Sequence, residues 1–302
     1  MAIDQATPDA RSGGSLPVAT PVPPTGSLLG FFSITYLLTW TWFSLVAIAP
    51  IPARASLLSL LVLPGVFAPA LVALLVTARA EGGTGVRALL GRVLQWHVPV
   101  RWYLFAAGYM AAVKLVVALS YRVVTVQWPR FGDTPWYVIA VAIVISTPFQ
   151  VGEELGWRGY ALPRLAARFG LAPASVVLGV IWACWHLPLF FIPEADTYTR
   201  SFFVYLLQVT ALSVAIAWLY AHTSGSLLLA MLMHAAINNS KDIVPSASAS
   251  APTNTFGLSA SLVGWLTVAA LWFCAAVFLI WMGKWPSVSP EDSLEPLTCK
   301  GP

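Results

Sequence analysis

Two adjacent carboxylates and a guanidinium stand out in a chain that is otherwise almost without charge. Glu153, Glu154 and Arg158 lie within six residues, in QVGEELGWRGYALPRL (150–165), whereas only 9% of the chain is charged. They end an apolar run long enough to enter a bilayer, where an ionisable group costs about 2.5–3.5 kcal/mol. On a helix, Glu154 and Arg158 form an i,i+4 ion pair in the favourable order. Glu153 is then left as a free base.

Two of the four histidines lie inside apolar runs downstream of this cluster. His186 ends the stretch WACWH, and His234 begins the stretch HAAIN. Trp182 lies one turn before His186, and Asn238 lies one turn after His234, so each pair shares a helix face. A single histidine in a span is more often a packing residue. Two of them near an unpaired carboxylate favour a functional site.

These groups indicate hydrolysis. A carboxylate and an imidazole can hold and deprotonate a water molecule, and a second imidazole with an amide can donate hydrogen bonds to a developing oxyanion. Neither G-x-S-x-G nor H-E-x-x-H is present in the chain, which disfavours a serine hydrolase and a helix-borne zinc protease. The remaining histidines, His97 and His222, are predicted to be surface groups.

The elements that must position these residues are membrane spans. The chain of 302 residues is 58% hydrophobic, well above the range of soluble domains. We therefore predict an all-α polytopic membrane protein with about eight transmembrane helices. The predicted spans are 28–49, 57–78, 102–124, 135–152, 174–193, 202–221, 226–244 and 258–283.

The rest of the chain is divided by composition and charge. Residues 1–27 are predicted to be a disordered cytoplasmic tail, 28–284 a membrane domain and 285–302 a polar tail. The formal charge of +4 is interpreted as arginine in cytoplasmic loops rather than a nucleic-acid surface. Arginines in 79–101 and 153–173 place both termini in the cytoplasm. A short amphipathic helix is predicted on the membrane surface at 86–98.

Three motifs in order resemble the CPBP family, which comprises type II CAAX prenyl endopeptidases and their bacteriocin-processing and lysostaphin-resistance relatives. E-E-x-x-x-R is present as Glu153, Glu154 and Arg158. The aromatic-x-x-x-His motif ends at His186, with Trp182 where phenylalanine is more usual. The motif His-x-x-x-Asn begins at His234. The resemblance covers about 135–243, the predicted protease core.

The resemblance implies a glutamate-dependent endopeptidase whose site lies in a cavity facing the cytoplasm. It implies that Glu153 and His186 activate a water molecule, and that His234 and Asn238 form the oxyanion site. Glu154 and Arg158 would support the first motif, and Trp182 would line the pocket. Its substrate would be a membrane-associated, prenylated or unprenylated, protein or peptide.

Three alternatives remain open from the sequence. A zinc ion held by Glu153, His186 and His234 is one, although metal-free chemistry with no cofactor is favoured because Asn238 suits an oxyanion donor. A proton-coupled transporter is another, since buried glutamate, arginine and histidine also form proton relays. A catalytically idle immunity or scaffold protein on the same fold is the third.

Overall fold

A computed structural model of the chain describes residues 26–49, 54–198, 200–246 and 255–283. Within these ranges the secondary structure is helical and contains no strand. The α-helices are α1 (Gly26–Ile48), α2 (Arg54–Leu61), α3 (Leu63–Val66), α4 (Ala68–Gly91), α5 (Val100–Thr125), α6 (Trp136–Ser146), α7 (Val151–Glu154), α8 (Leu162–Phe169), α9 (Leu171–Trp185), α10 (Phe202–His222), α11 (Leu227–Ser240) and α12 (Leu262–Gly283). A π-helical segment, Leu155–Ala161, joins α7 to α8.

Seven helical stretches in the described part of the chain are long and apolar enough to cross a membrane. They are Leu28–Ile48, Ser56–Leu94, Val100–Thr125, Trp136–Phe169, Leu171–Phe191, Phe202–His222 and Leu262–Gly283. The predicted class, an all-α polytopic membrane protein, is confirmed.

The seventh predicted span, 226–244, is shorter than expected. Its helix α11 has 14 residues. At 1.5 Å per residue it is about 21 Å long, whereas the hydrocarbon core is about 30 Å thick. The connections at its two ends therefore reach below the membrane surface if it lies upright.

The predicted tails fall almost wholly outside the described residues. Of 1–27, only the last two residues belong to the described ranges, as the start of α1, and 285–302 lies outside them altogether. The assignment of both segments as tails stays a prediction.

The predicted surface helix at 86–98 is the end of a longer, kinked helix. Helix α4 continues to Gly91 across a kink at Gly82, whose φ of 65° and ψ of −161° suit glycine. The chain after the kink is fastened to the turn between α10 and α11. There the hydroxyl of Ser226 donates to the carbonyl oxygen of Gln95 at 2.7 Å.

Two prolines interrupt the helices next to the candidate residues. Pro148 lies in a 3₁₀ turn, Thr147–Gln150, which separates α6 from α7 and comes just before Glu153. Pro188 lies in a second 3₁₀ turn, Leu187–Phe191, which begins directly after His186. Proline removes a backbone donor and cannot continue a regular helix. Glu153 and His186 therefore each lie next to a helix break.

The π-helical segment packs closely against α4. All seven of its residues are buried. A β-carbon added to Gly156 would come within 2.7 Å of the backbone of Pro69, so only glycine allows this approach. Single π-helical turns are rare and occur often at functional sites. Here the segment directly follows the two carboxylates.

A buried lysine joins α5 to the chain beyond α11. The ammonium group of Lys114 donates to the carbonyl oxygen of Val244 at 3.0 Å and to the hydroxyls of Ser246 at 2.8 Å and Thr267 at 3.3 Å. Three acceptors satisfy its three donors, which is what allows a charged group to be buried.

Candidate active site

Glu154 holds both its predicted partner and a histidine from another helix. Its Oε1 accepts from Nη1 of Arg158 at 2.8 Å and from Nδ1 of His234 at 2.8 Å. The side chains of Glu154 and Arg158 are completely buried. The i,i+4 pair follows from sequence spacing, but the bond to His234 joins residues 80 positions apart, and no local pattern indicates it.

Glu153 points away from Glu154 and contacts α9. Its Oε2 accepts a hydrogen bond from the indole Nε1 of Trp182 at 2.6 Å. The same oxygen lies 4.0 Å from Nε2 of His186. The two adjacent carboxylates thus have different partners. Glu154 contacts Arg158 and His234, whereas Glu153 lies next to Trp182 and His186.

The tautomer of His186 follows from its second contact. Its Nδ1 lies 2.8 Å from the carbonyl oxygen of Trp182. A carbonyl oxygen can only accept, so Nδ1 carries a proton. In the neutral ring Nε2 is therefore an acceptor, and it faces another acceptor, Oε2 of Glu153. A water molecule with two protons can donate to both.

Trp182 contacts four of the charged and titratable groups of the site. Besides its bond to Glu153, its ring lies under the guanidinium of Arg158, with 4.3 Å from Cζ to the ring centroid. The ring of His234 meets it edge-on at 5.1 Å between centroids, and that of His186 is 5.8 Å away. The sequence predicted an aromatic wall here and missed the hydrogen bond.

Asn238 lies one helical turn beyond His234, as predicted, and its side chain is exposed. Its neighbour Asn239 instead binds within the protein, donating to the hydroxyl of Ser146 at 2.9 Å. The structure therefore brings Glu153, Trp182 and His186 together, and Trp182 also contacts Arg158 and His234, the two partners of Glu154. It leaves Asn238 accessible at the edge of this group.

The site lies close to the end of the bundle at which α10 begins. The ring of His186 contacts that of Tyr205, only about one turn into α10, with 5.6 Å between centroids. Farther along α9 from this end, the hydroxyl of Ser213 donates to the carbonyl of Ser175 at 3.0 Å, as expected for antiparallel packing.

Burial shows where the site is open. On the side away from the start of α10, the next turns of the site helices are buried at Leu155, Leu178 and Met231. On the side of that start, Gln150 is only partly buried and Asn238 is exposed. The site is therefore buried toward one end of the bundle and open toward the other.

A charged cluster lies at the open end. Asp196 contacts the ammonium group of Lys241 and lies 3.7 Å from Nη2 of Arg200. Burial alone would raise the pKa of Asp196, but the charges of Lys241 and Arg200 together lower it below its usual value. The cluster joins the chain after α9 to the chain after α11 beside the opening.

The donor set considered for zinc does not form a metal site in this arrangement. Among the described residues, no three histidine, cysteine, aspartate or glutamate side chains are placed to hold a metal ion. We therefore derive no step through a metal.

The two histidines predicted to be surface groups differ. His97 is exposed. His222 is partly buried, with its Nδ1 2.8 Å from the carbonyl oxygen of Trp218. Trp218 and His222 thus repeat the local geometry of Trp182 and His186 at the other end of α10.

Comparison with known proteins assigns this site to a class. Residues 133–240, about a third of the chain, match the family model described as Rce1-like, type II CAAX prenyl endopeptidase. All three motifs lie within the matched segment, so the resemblance to the CPBP family that they indicate is confirmed. The class is that of a membrane endopeptidase.

A curated relative agrees with this class. The chain is 24% identical to the "CAAX prenyl protease 2" of Methanococcus maripaludis over 230 residues, which cover 72% of this chain and 83% of the relative. The protein is thus a multi-pass membrane endopeptidase that is similar to CAAX prenyl proteases.

Proposed function

We propose that the protein hydrolyses a peptide bond of a membrane-associated protein or peptide with a water molecule activated by Glu153 and His186. One observation carries the proposal. Oε2 of Glu153 and Nε2 of His186 are 4.0 Å apart, too far for a direct hydrogen bond, and both are acceptors. A water molecule that donates to both has its lone pairs directed away from them, toward a substrate.

The reaction then has two steps. In the first, the water oxygen bonds to the peptide carbonyl carbon as its proton passes to Glu153, and the carbonyl oxygen becomes an oxyanion. In the second, the carbon–nitrogen bond breaks and the proton is delivered to the leaving amine. The products are a carboxylic acid and an amine, and Glu153 is again ionised.

His234 and Asn238 are proposed to stabilise the oxyanion. Nδ1 of His234 donates a hydrogen bond to Glu154. Its Nε2 faces no other partner in these contacts among the described residues and would donate to the oxyanion in the doubly protonated ring. The exposed amide of Asn238 supplies a second donor from the same helix face. One such donor is typically worth about 10²–10³-fold in rate.

The substrate class is proposed from the relative's name. "CAAX prenyl protease 2" indicates that a prenylated protein is the first candidate to test. A lipid anchor would hold such a peptide close to the membrane-spanning helices that carry the site.

The test is proteolysis of a farnesylated fluorogenic peptide by the purified protein in detergent micelles. We expect Glu153→Gln and His186→Asn each to lower kcat/KM by about 10²–10⁴-fold, the usual contribution of general acid–base catalysis. An unprenylated version of the peptide tests the need for the lipid. A chelator should leave the rate unchanged if no metal takes part.

The chain offers a matched control for the histidine. His222→Asn removes an imidazole with the same bond to the carbonyl four residues before it, far from Glu153. We expect this variant to keep the wild-type rate within about twofold. Substantial cleavage by Glu153→Gln would eliminate the mechanism, even if the protein proved to be a protease.

A further inference from the structure

We propose that Trp182 is a positioning residue for Glu153, whose indole N–H holds the carboxylate oxygen that faces His186. The proposal rests on the proposed function and adds a residue to it. A phenylalanine at this position would have no N–H and could not make this bond. Trp182 would thus be more than a wall of the pocket.

The first argument is the identity of the oxygen. Nε1 of Trp182 donates to Oε2 at 2.6 Å, and it is this oxygen that lies 4.0 Å from Nε2 of His186. The terminal torsion of a glutamate is broad, so an unheld carboxylate would turn freely. A short, charge-assisted bond restricts that rotation and keeps Oε2 toward the place of the water molecule.

The second argument is that the indole itself is fixed. Trp182 is buried, the guanidinium of Arg158 covers one face of its ring, and the ring of His234 meets it edge-on. Arg158 is in turn held by Glu154. The donor therefore cannot follow the carboxylate if the carboxylate moves.

The third argument is that Trp182 orients both Glu153 and His186. The backbone carbonyl of Trp182 fixes the proton on Nδ1 of His186, while its side chain fixes the orientation of Glu153. Any residue at this position supplies the carbonyl. Only the indole supplies the second bond, so the two effects are separable by substitution.

The decisive variant replaces Trp182 with 3-benzothienylalanine, in which sulfur takes the place of the N–H while the ring keeps its shape. A hydrogen bond to a charged group is worth about 10- to 150-fold. We expect kcat on the farnesylated peptide to fall within that range, with KM changed less than about threefold. Trp182→Phe should lose at least as much.

Trp218 provides the matched control. It has the same relation to a histidine four residues later, and its buried Nε1 has no hydrogen-bond partner among the described residues. The same two replacements at this position should leave kcat within about twofold. Wild-type kcat for the 3-benzothienylalanine variant at position 182 would overturn the proposal while leaving the proposed function intact.

A second measurement does not depend on cleavage. In protein with ¹⁵N-labelled tryptophan, the indole proton of Trp182 should resonate downfield and shift upfield in Glu153→Leu, whereas that of Trp218 should not move. If wild type leaves the peptide uncleaved, the proposed substrate fails, and this spectrum still decides the hydrogen bond. An unchanged Trp182 resonance in Glu153→Leu refutes it.

Discussion

Removing the guanidinium of Arg158 should destabilise the protein by more than the loss of its hydrogen bond to Glu154 alone, because the buried carboxylate loses its partner. In Arg158→Met, the completely buried carboxylate of Glu154 loses its arginine and keeps only His234. Breaking a buried pair by removing one member typically costs about 3–5 kcal/mol, because an uncompensated charge remains. For a domain of this size each kcal/mol lowers the melting temperature by about 2–4 °C. The expected decrease is therefore about 6–20 °C.

The assay is thermal unfolding in detergent, followed by tryptophan fluorescence, for a double-mutant cycle. Glu154→Gln alone should also be destabilised. The double variant, Glu154→Gln with Arg158→Met, should recover much of the loss, since no unpaired charge is left. Equal losses that simply add in the double variant would show that the pair is solvated, and the argument from burial would be refuted.

Two further predictions concern packing and the buried lysine. Gly156→Ala should lower the free energy of unfolding by about 1–3 kcal/mol, because its methyl group meets the backbone of Pro69. Gly108→Ala in α5, where nothing lies within 4 Å, is the control and should be neutral or slightly stabilising; equal effects of the two would contradict the close approach. Lys114→Met should lower the melting temperature and speed proteolysis of the chain after α11, because it releases Val244 and two hydroxyls from Lys114. Cleavage at the wild-type rate would show that this anchor is dispensable.

The parts of the site that follow from sequence are those set by local spacing. The pair of Glu154 and Arg158 lies on one helix face, so its four-residue spacing suffices to predict it. Long apolar runs likewise gave seven spans, because length and hydropathy decide membrane insertion.

What could not be predicted depends on how separate helices meet. The bond from Glu154 to His234, and that from Trp182 to Glu153, join residues distant in the chain. Their geometry is set by helix packing, including the close approach allowed by Gly156. The predicted span 226–244 is longer than helix α11, because the prediction included polar residues at the end of the helix in the apolar run.

The predicted side of the termini and the predicted side on which the site opens depend on each other. Helix α1 runs parallel to α9, since Tyr36 binds the carbonyl of Ile181 and Trp40 that of Trp185. The chain therefore enters the bundle at the closed end. If its start at Gly26 is cytoplasmic, substrates arrive from outside the cell; if they arrive from the cytosol, Gly26 faces outward. Labelling one cysteine introduced next to Gly26, from either side of an intact membrane, would thus reveal which compartment supplies the peptide.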